Sequence, residues 1–478
     1  MHFIDAAIFV LYLFAMLGVG IYFWKKNRGV SDYYVGGRKM NAGHIGLSVV
    51  ATDVGGGFSI GLGGLGFTMG LSGSWLLFTG LIGAVVSATL LIPHLRHTER
   101  FNKALSFPDL FESHFGRTAA LVAAIISALG YLGFTSSQLL AGAKLASATF
   151  PAFSPQLTLV IMGIGAVAYT ALGGLKAVIY TDTIQWTVLL LGLTFVGIPV
   201  CVSSLGGVTA VIDVLPANMF SLTNLKGVTF INWLITIVPI WFVGMTLYQR
   251  IFAAADEKTA KRAWYLAGFF EWPVIAFVGV GMGLLAKAAY LKGLLPMAPD
   301  QGMPDPEKGL PMMLSTLLPV GAMGVLMSAY FSAILSTADS CLIAASGNVV
   351  SDIIAKWKPQ ISQPQLLRLS QLATLLLGVI AIGLAMSMTS VLDLMLHSYA
   401  FMVSGLFVPV LACLFMKRHS QAAAVSAMLV GGSVTIALSS ISFSPLGLNA
   451  NIFGIPASLL TYSAIHIIYL RRKDPVSR

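Results

Sequence analysis

A chain of 478 residues that is 57% hydrophobic and 10% charged, with a mean hydropathy of +0.85, lies far from the roughly one-quarter charged content of water-soluble domains. A soluble globular fold is therefore excluded, and lipid is the solvent for most of the chain. The net charge of +10 is scattered over short loops and not gathered on one face, so it does not point to a nucleic-acid partner.

A helix crossing the hydrocarbon core needs about 20 apolar residues, and the chain divides into about thirteen such stretches at polar or basic punctuation. They fall near 4–24, 43–69, 74–95, 119–148, 157–173, 181–203, 229–252, 264–288, 313–352, 367–387, 391–414, 421–440 and 452–470. Strands of a barrel would alternate apolar and polar residues, whereas these stretches are continuously apolar, so the expected fold is an all-α polytopic membrane protein. The first stretch has His2 and Asp5 at its start and Lys25, Lys26 and Arg28 after it, the reverse of a cleaved signal. It reads as a retained helix with its N-terminus outside. Lys144, Lys226, Lys287, Lys292 and Lys308 then fall on the outer side, and the other Lys and Arg, Arg250 among them, fall on inner loops. This distribution fits the positive-inside rule with a cytoplasmic C-terminus in the cell (inner) membrane.

Ionisable groups inside such spans are costly and persist where something uses them. In chain order the first is Asp53, within Ser48-Val49-Val50-Ala51-Thr52-Asp53-Val54-Gly55-Gly56-Gly57-Phe58. Three successive glycines predict a break, which frees carbonyls on one side and N–H groups on the other, as in the discontinuous helices that line transporter sites. Close helix packing with Asp53 as a cap is the competing reading. Asp182 follows a Gly-containing inner turn at 171–177 and has Thr181 and Gln185 beside it; it either caps its helix or completes a second cation site. Glu271 precedes Trp272-Pro273, and a kink is the expectation there. In Ser332 to Cys341, Ala333, Ser336, Thr337 and Ser340 share one helical face, and hydroxyl and carbonyl oxygens suit a small hard cation, although such hydroxyls also bond back to their own helix. Asp339 lies in the same segment. Asp393 opens a helix from the outside, with His397 and Tyr399 behind it. Cys201, Cys341 and Cys413 lie in apolar stretches without disulfide or metal spacing.

Taken in order, Ser31-Asp32-Tyr33-Tyr34-Val35-Gly36-Gly37-Arg38, the break at Ala51 to Gly57, Gly173-Gly174-Leu175-Lys176-Ala177-Val178 with Thr181-Asp182 and Gln185, Gln249-Arg250 and Ser336-Thr337-Ala338-Asp339-Ser340 resemble the sodium/solute symporter family along essentially the whole chain. The resemblance implies a LeuT-like core of two inverted five-helix repeats at 43–203 and 229–414, with an extra helix and cytoplasmic loop at 1–42. An outer loop at 204–228 joins the repeats, and two C-terminal helices and a tail occupy 415–478. It also implies a sodium site from the carbonyls of Ala51, Val54 and Ala333 and the hydroxyls of Ser336 and Thr337. A second cation is expected at Asp182 with Asp339 and Ser340, where a carboxylate stands in place of one expected hydroxyl.

The function so implied is sodium-coupled symport of a small polar organic solute by alternating access, with Na+ as coupling ion and the bilayer and the solute as the partners; the oligomeric state stays open. The solute pocket is expected between the broken helices, lined by Asp53, Gly55, Gly56, Gly57, Phe58, Ser137, Gln138, Trp241, Met245 and Tyr399. Asp53 is similar to the acid of the proline carriers in that family, so an amino acid or other amine is the first expectation. A sugar acid, monocarboxylate or vitamin is the alternative, and Asp53 serving sodium stays open. A channel would need a continuous polar pore, an enzyme convergent nucleophile and base groups, and a nutrient sensor an output domain. None of these is apparent, so no enzyme activity is expected.

Overall fold

The computed structural model of the protein describes residues 2–26, 33–34, 40–96, 106–149, 154–295 and 305–473. Of the first family motif only Tyr33 and Tyr34 fall within these residues, and the side chains of Gly57, Phe58, Gly173, Gly174, Lys176 and Ala177 lie outside them. Among the described residues the chain is helical, with no strand beyond one isolated bridge between Met40 and Ala254, as continuous apolar stretches require when every backbone polar group must be satisfied within its own segment. The all-α polytopic fold expected from the sequence is the one observed.

The principal helices are α1 (Phe3–Lys26), α2 (Ala42–Met69), α3 (Trp75–Val86), α4 (Pro108–Phe115), α5 (Arg117–Thr149), α6 (Pro155–Gly192), α7 (Gly227–Val243), α8 (Met245–Ala253), α9 (Glu257–Phe269), α10 (Ala276–Leu291), α11 (Pro306–Leu317), α12 (Ala322–Gly347), α13 (Gln363–Met386), α14 (Val391–Phe415), α15 (Gln421–Ser440) and α16 (Asn451–Lys473). Nine described helical segments are long and apolar enough to cross a bilayer, or ten when α7 and α8, bent by 44° at Gly244, count as one broken span. Shorter apolar segments, Phe3–Val19 and Gln156–Ala168, add to these.

Two boundaries differ from the sequence reading. The stretch 313–352 is two elements, because α11 ends at Leu317 and α12 begins only after Gly321; Leu318-Pro319 supplies the interruption, since the residue before a proline is pushed out of helical geometry. The inner turn expected at 171–177 is not a break in the backbone assignment, which stays helical from Pro155 to Gly192.

The centre of the bundle is α12, nearly every residue of which is buried and which packs against α1, α2, α5 and α6. Helix α2 lies between α12 on one side and α9, α10 and α11 on the other. The α15–α16 hairpin leans on α14 at the periphery, and α13 turns Leu375, Leu376, Val379 and Ile380 outward to form lipid-facing surface. Helix α1 is pinned to the centre by Asp5, whose Oδ1 accepts from Gly321 N and Gly324 N, each at 2.8 Å, and so satisfies orphan donors at the N-terminus of α12.

Candidate functional site

The break in α2 falls at Gly55, whose φ of 11° and ψ of −158° leave the helical region. A side chain there has no room: an added Cβ would lie 2.7 Å from both Cβ and Cγ2 of Thr337. The glycine thus permits contact between the break and the hydroxyl face of α12, and the freed groups find partners at once. Gly56 N donates to Gln138 Oε1 at 2.6 Å, and Ala51 O accepts from Thr337 Oγ1 at 2.8 Å. Thr337 Oγ1 also lies 3.4 Å from Ala333 O, which accepts from Ser336 Oγ at 3.1 Å. Ala51, Ala333, Ser336 and Thr337 therefore form one chain of oxygens, with Val54 buried in the last turn before the break. Hard oxygens without nitrogen or sulfur suit a desolvated alkali cation.

Asp182 and Ser340 also come together, but around Arg250. The sequence reading assigns Arg250 to an inner loop; in the structure its side chain is wholly buried. It donates from Nε to Ser48 Oγ at 3.1 Å, and from Nη2 to Thr52 Oγ1 at 2.5 Å and Ser340 Oγ at 2.9 Å, with Asp182 Oδ2 3.5 Å away. Ser48 Oγ donates to Asp182 Oδ2 at 2.5 Å. The short α8 ends at Ala253, so Arg250 still lies within the helix and its fork reaches back into the bundle, where planar donors hold several oxygens at once. Asp339 does not join this group. Its Oδ1 accepts from Thr170 Oγ1 on α6, on the side of α12 where Gln185 Nε2 meets Tyr12 Oη at 3.2 Å.

Of the expected pocket residues, Ser137, Gln138, Asp53 and Tyr399 are all buried. Gln138 Nε2 donates to Ser137 Oγ at 3.2 Å, which holds the amide toward Gly56. Tyr399 packs edge-on against Phe134, with ring centroids 4.8 Å apart. Trp241 packs over Gly83 of α3 and edge-on to Trp264, whereas Met245 lies elsewhere, its Sδ 3.2 Å from Phe107 N. Gly57 and Phe58 continue the second half of α2, their side chains outside the described residues. Glu271, expected from the sequence only at a kink, is also in the interior. It lies in a wide π turn, Phe270–Ile275, fully buried, and its carboxyl reaches that of Asp53. Its apolar flanks were the signal available beforehand.

The bundle is tied at both ends. On the face the charge pattern assigns to the outside, Lys144 Nζ pairs with Asp305 at 2.8 Å and Glu307 at 2.6 Å. Glu307 also accepts from Val391 N and Leu392 N, each at 3.0 Å, at the N-terminus of α14. These residues floor a cleft of about 430 Å³ bordered by Gly61, Leu65 and Thr68 of α2. On the opposite face Lys356 bridges Asp109 at 3.0 Å and Glu112, while Ser106 Oγ donates to Asp352 at 2.5 Å.

The chain matches the family described as SSF, Sodium:solute symporter family, over residues 33–431. It is 30% identical over 437 residues to the osmoregulated proline transporter OpuE of Bacillus subtilis, covering 89% of this chain and 87% of that protein. It is 27% identical to the sodium/proline symporter of Salmonella typhimurium, with 90% and 86% covered. Among solved structures, a substrate-bound, outward-open sodium-coupled sialic acid symporter superposes with a TM-score of 0.78 at 23% identity, covering 97% of each chain. A nucleobase-cation-symport transporter, Mhp1, superposes at 0.59 and 14% identity.

Proposed function

The chain belongs to the sodium:solute symporter family, a multi-pass membrane transporter family that couples sodium to a solute, and from that premise we propose that its cargo is an amino acid, with proline first. The observation that carries this reading is Asp53, a buried acid two residues before the broken backbone at Gly55 of α2. A buried carboxylate needs a positive partner, and an amino acid supplies one as its ammonium group. The half of α2 that begins beyond Gly55 presents a helix N-terminus, which favours the solute's carboxylate. The names of relatives sharing about 30% identity support proline within that class.

Sodium binds among Ala51 O, Val54 O, Ala333 O, Ser336 Oγ and Thr337 Oγ1, bridging the inner half of α2 to α12. One sodium accompanies each solute, since the guanidinium of Arg250 already supplies positive charge to Asp182 and Ser340. The N-terminus faces outside and the C-terminus the bacterial cytoplasm, with the two five-helix repeats at 43–203 and 229–414 rocking about the shared site. Sodium holds the outward-open form by binding it better, and each ligand tightens the other by the same factor. Purified protein in proteoliposomes should concentrate radiolabelled proline when sodium is high outside, and should not do so in potassium. Equal uptake in both salts, or uptake of sugars or carboxylates in place of proline, would refute the assignment of cargo.

A further inference from the structure

Asp53 and Glu271 meet carboxyl to carboxyl in the interior. Among the described residues no N–H or O–H donates to Glu271 Oε1, Glu271 Oε2 or Asp53 Oδ2. Among the described residues the buried cations are committed elsewhere, Arg250 to Asp182 and Lys144 to Glu307. Two carboxylates at contact cannot both stay charged unless something positive lies between them. Glu271 also has space made for it: a Cβ on Gly80 of α3 would lie against its Oε2.

One helical turn along the same face of α3 is Gly83, and a Cβ there would lie 2.9 Å from Trp241 Nε1. That indole is fully buried, and its N–H has no acceptor. Residues three apart on a helix stand side by side, so the two glycines make room for adjoining side chains, one from an acid pair without donors and the other a donor without an acceptor. Tyr399 of α14, also buried, lies near both acids. A sodium ion or a shared proton between the acids would leave the indole unsatisfied. A zwitterion satisfies both ends.

Resting on the reading of an amino-acid cargo, we propose that Glu271 joins Asp53 as receptor for the solute's ammonium group, with Trp241 Nε1 donating to an oxygen of the same solute. Glu271 is then a substrate-binding residue on the segment between α9 and α10, and the specificity for an amine is set by two acids on separate helices.

The test uses full-length protein in proteoliposomes, with proline as substrate and two competitors, cyclopentanecarboxylate, which lacks the nitrogen, and pyrrolidine, which lacks the carboxylate. Glu271→Gln should raise KM for proline about tenfold or more while sodium half-saturation stays within about twofold, the pattern of a lost substrate contact. Inhibition by cyclopentanecarboxylate should be unchanged. Trp241→Phe should weaken proline by about fivefold or more, as loss of one hydrogen-bond donor does, and leave inhibition by pyrrolidine unchanged. Sodium-dependent thermal stabilisation of each variant establishes that it is folded; if Glu271→Gln is not, Gly80→Ala, which displaces the same carboxyl, should show the same loss for proline. An E271Q protein that moves the sodium requirement in place of the proline KM, or that moves neither, overturns the proposal. Wild-type protein that takes up proline with sodium while E271Q loses nothing sinks this inference alone. Wild-type protein that neither transports nor is stabilised by any amine-bearing solute sinks the cargo reading and the inference with it.

Discussion

The Thr337 hydroxyl donates to Ala51 O at 2.8 Å, and a cation arriving between them would turn that hydroxyl so that it presents a lone pair. The hydrogen bond and the ion therefore compete for one geometry, and the ion wins only if the other oxygens of the group close on it. Thr337→Ala should raise the sodium concentration for half-maximal uptake about tenfold or more, since a lost charge-assisted contact costs about 1.5–3 kcal/mol, while Thr337→Ser should stay near wild type. Sodium titration of proline uptake measures this, and an unchanged requirement in Thr337→Ala would remove the hydroxyl from the site. Arg250 is argued differently, because its guanidinium and Asp182 are both wholly buried. Arg250→Gln leaves an uncompensated buried charge, which costs about 3–5 kcal/mol. Asp182→Asn in the same chain should recover much of that loss in thermal denaturation. If the double variant is as unstable as the single one, the two groups do not compensate each other. The shared face of Ala333, Ser336 and Thr337 was readable in the sequence, because helical spacing puts these residues together. Arg250 was not, because a basic residue near a helix end looks like loop charge until the fold shows where α8 points.

Among elements, α5, α11 and α14 are joined through Lys144 and Glu307. Glu307 spends both oxygens on the first N–H groups of α14 and one of them also on Lys144, so parting α11 from α5 also uncaps α14. Leu65 lines the cleft above this latch and the three native cysteines are buried, which makes Leu65→Cys a clean reporter. Adding Lys144→Met should speed its labelling by a membrane-impermeant maleimide several-fold; equal rates would mean the ion pairs do not hold the cleft. At the other end, His419 between α14 and α15 packs edge-on to His114, with centroids 4.9 Å apart. Burial first, then the neighbouring His114 and His466, push its pKa below the usual histidine value. A histidine kept neutral by the fold stabilises fully above the unfolded value of about 6.5, and that contribution fades as pH falls below it, because the unfolded chain binds the proton more readily. The melting temperature should therefore drop between pH 7 and 5 more steeply in wild type than in His419→Gln; parallel pH profiles would take His419 out of the account. Neither contact was legible beforehand, since 307 and 144, or 114 and 419, are joined only by the packing of distant helices. The break in α2 was legible, because three glycines act locally.

At the scale of the whole molecule, α12 is where these devices meet. Its N-terminus is capped by Asp5 of α1, its middle carries Ser336 and Thr337 against α2, Asp339 faces α6, and the helix runs on through a π turn to Asp352 and Lys356 in the opposite network. A carboxylate read from sequence as a second ion ligand, Asp339, thus tethers α12 to α6. The residue that meets Asp53, Glu271, was read as the neighbour of a kink. Both were visible as buried acids, but only the fold decides which helix each one faces. If α12 is the frame against which α2 moves, sodium between them should be felt at the outer cleft. Sodium should speed maleimide labelling of Leu65→Cys, with a half-maximal concentration matching that for proline uptake, and Thr337→Ala should shift both curves together by the same factor. The shared shift follows from linkage, because one binding event drives both observations. Labelling that ignores sodium, or curves that separate in the variant, would mean that the oxygen group between α2 and α12 does not govern which side of the protein is open.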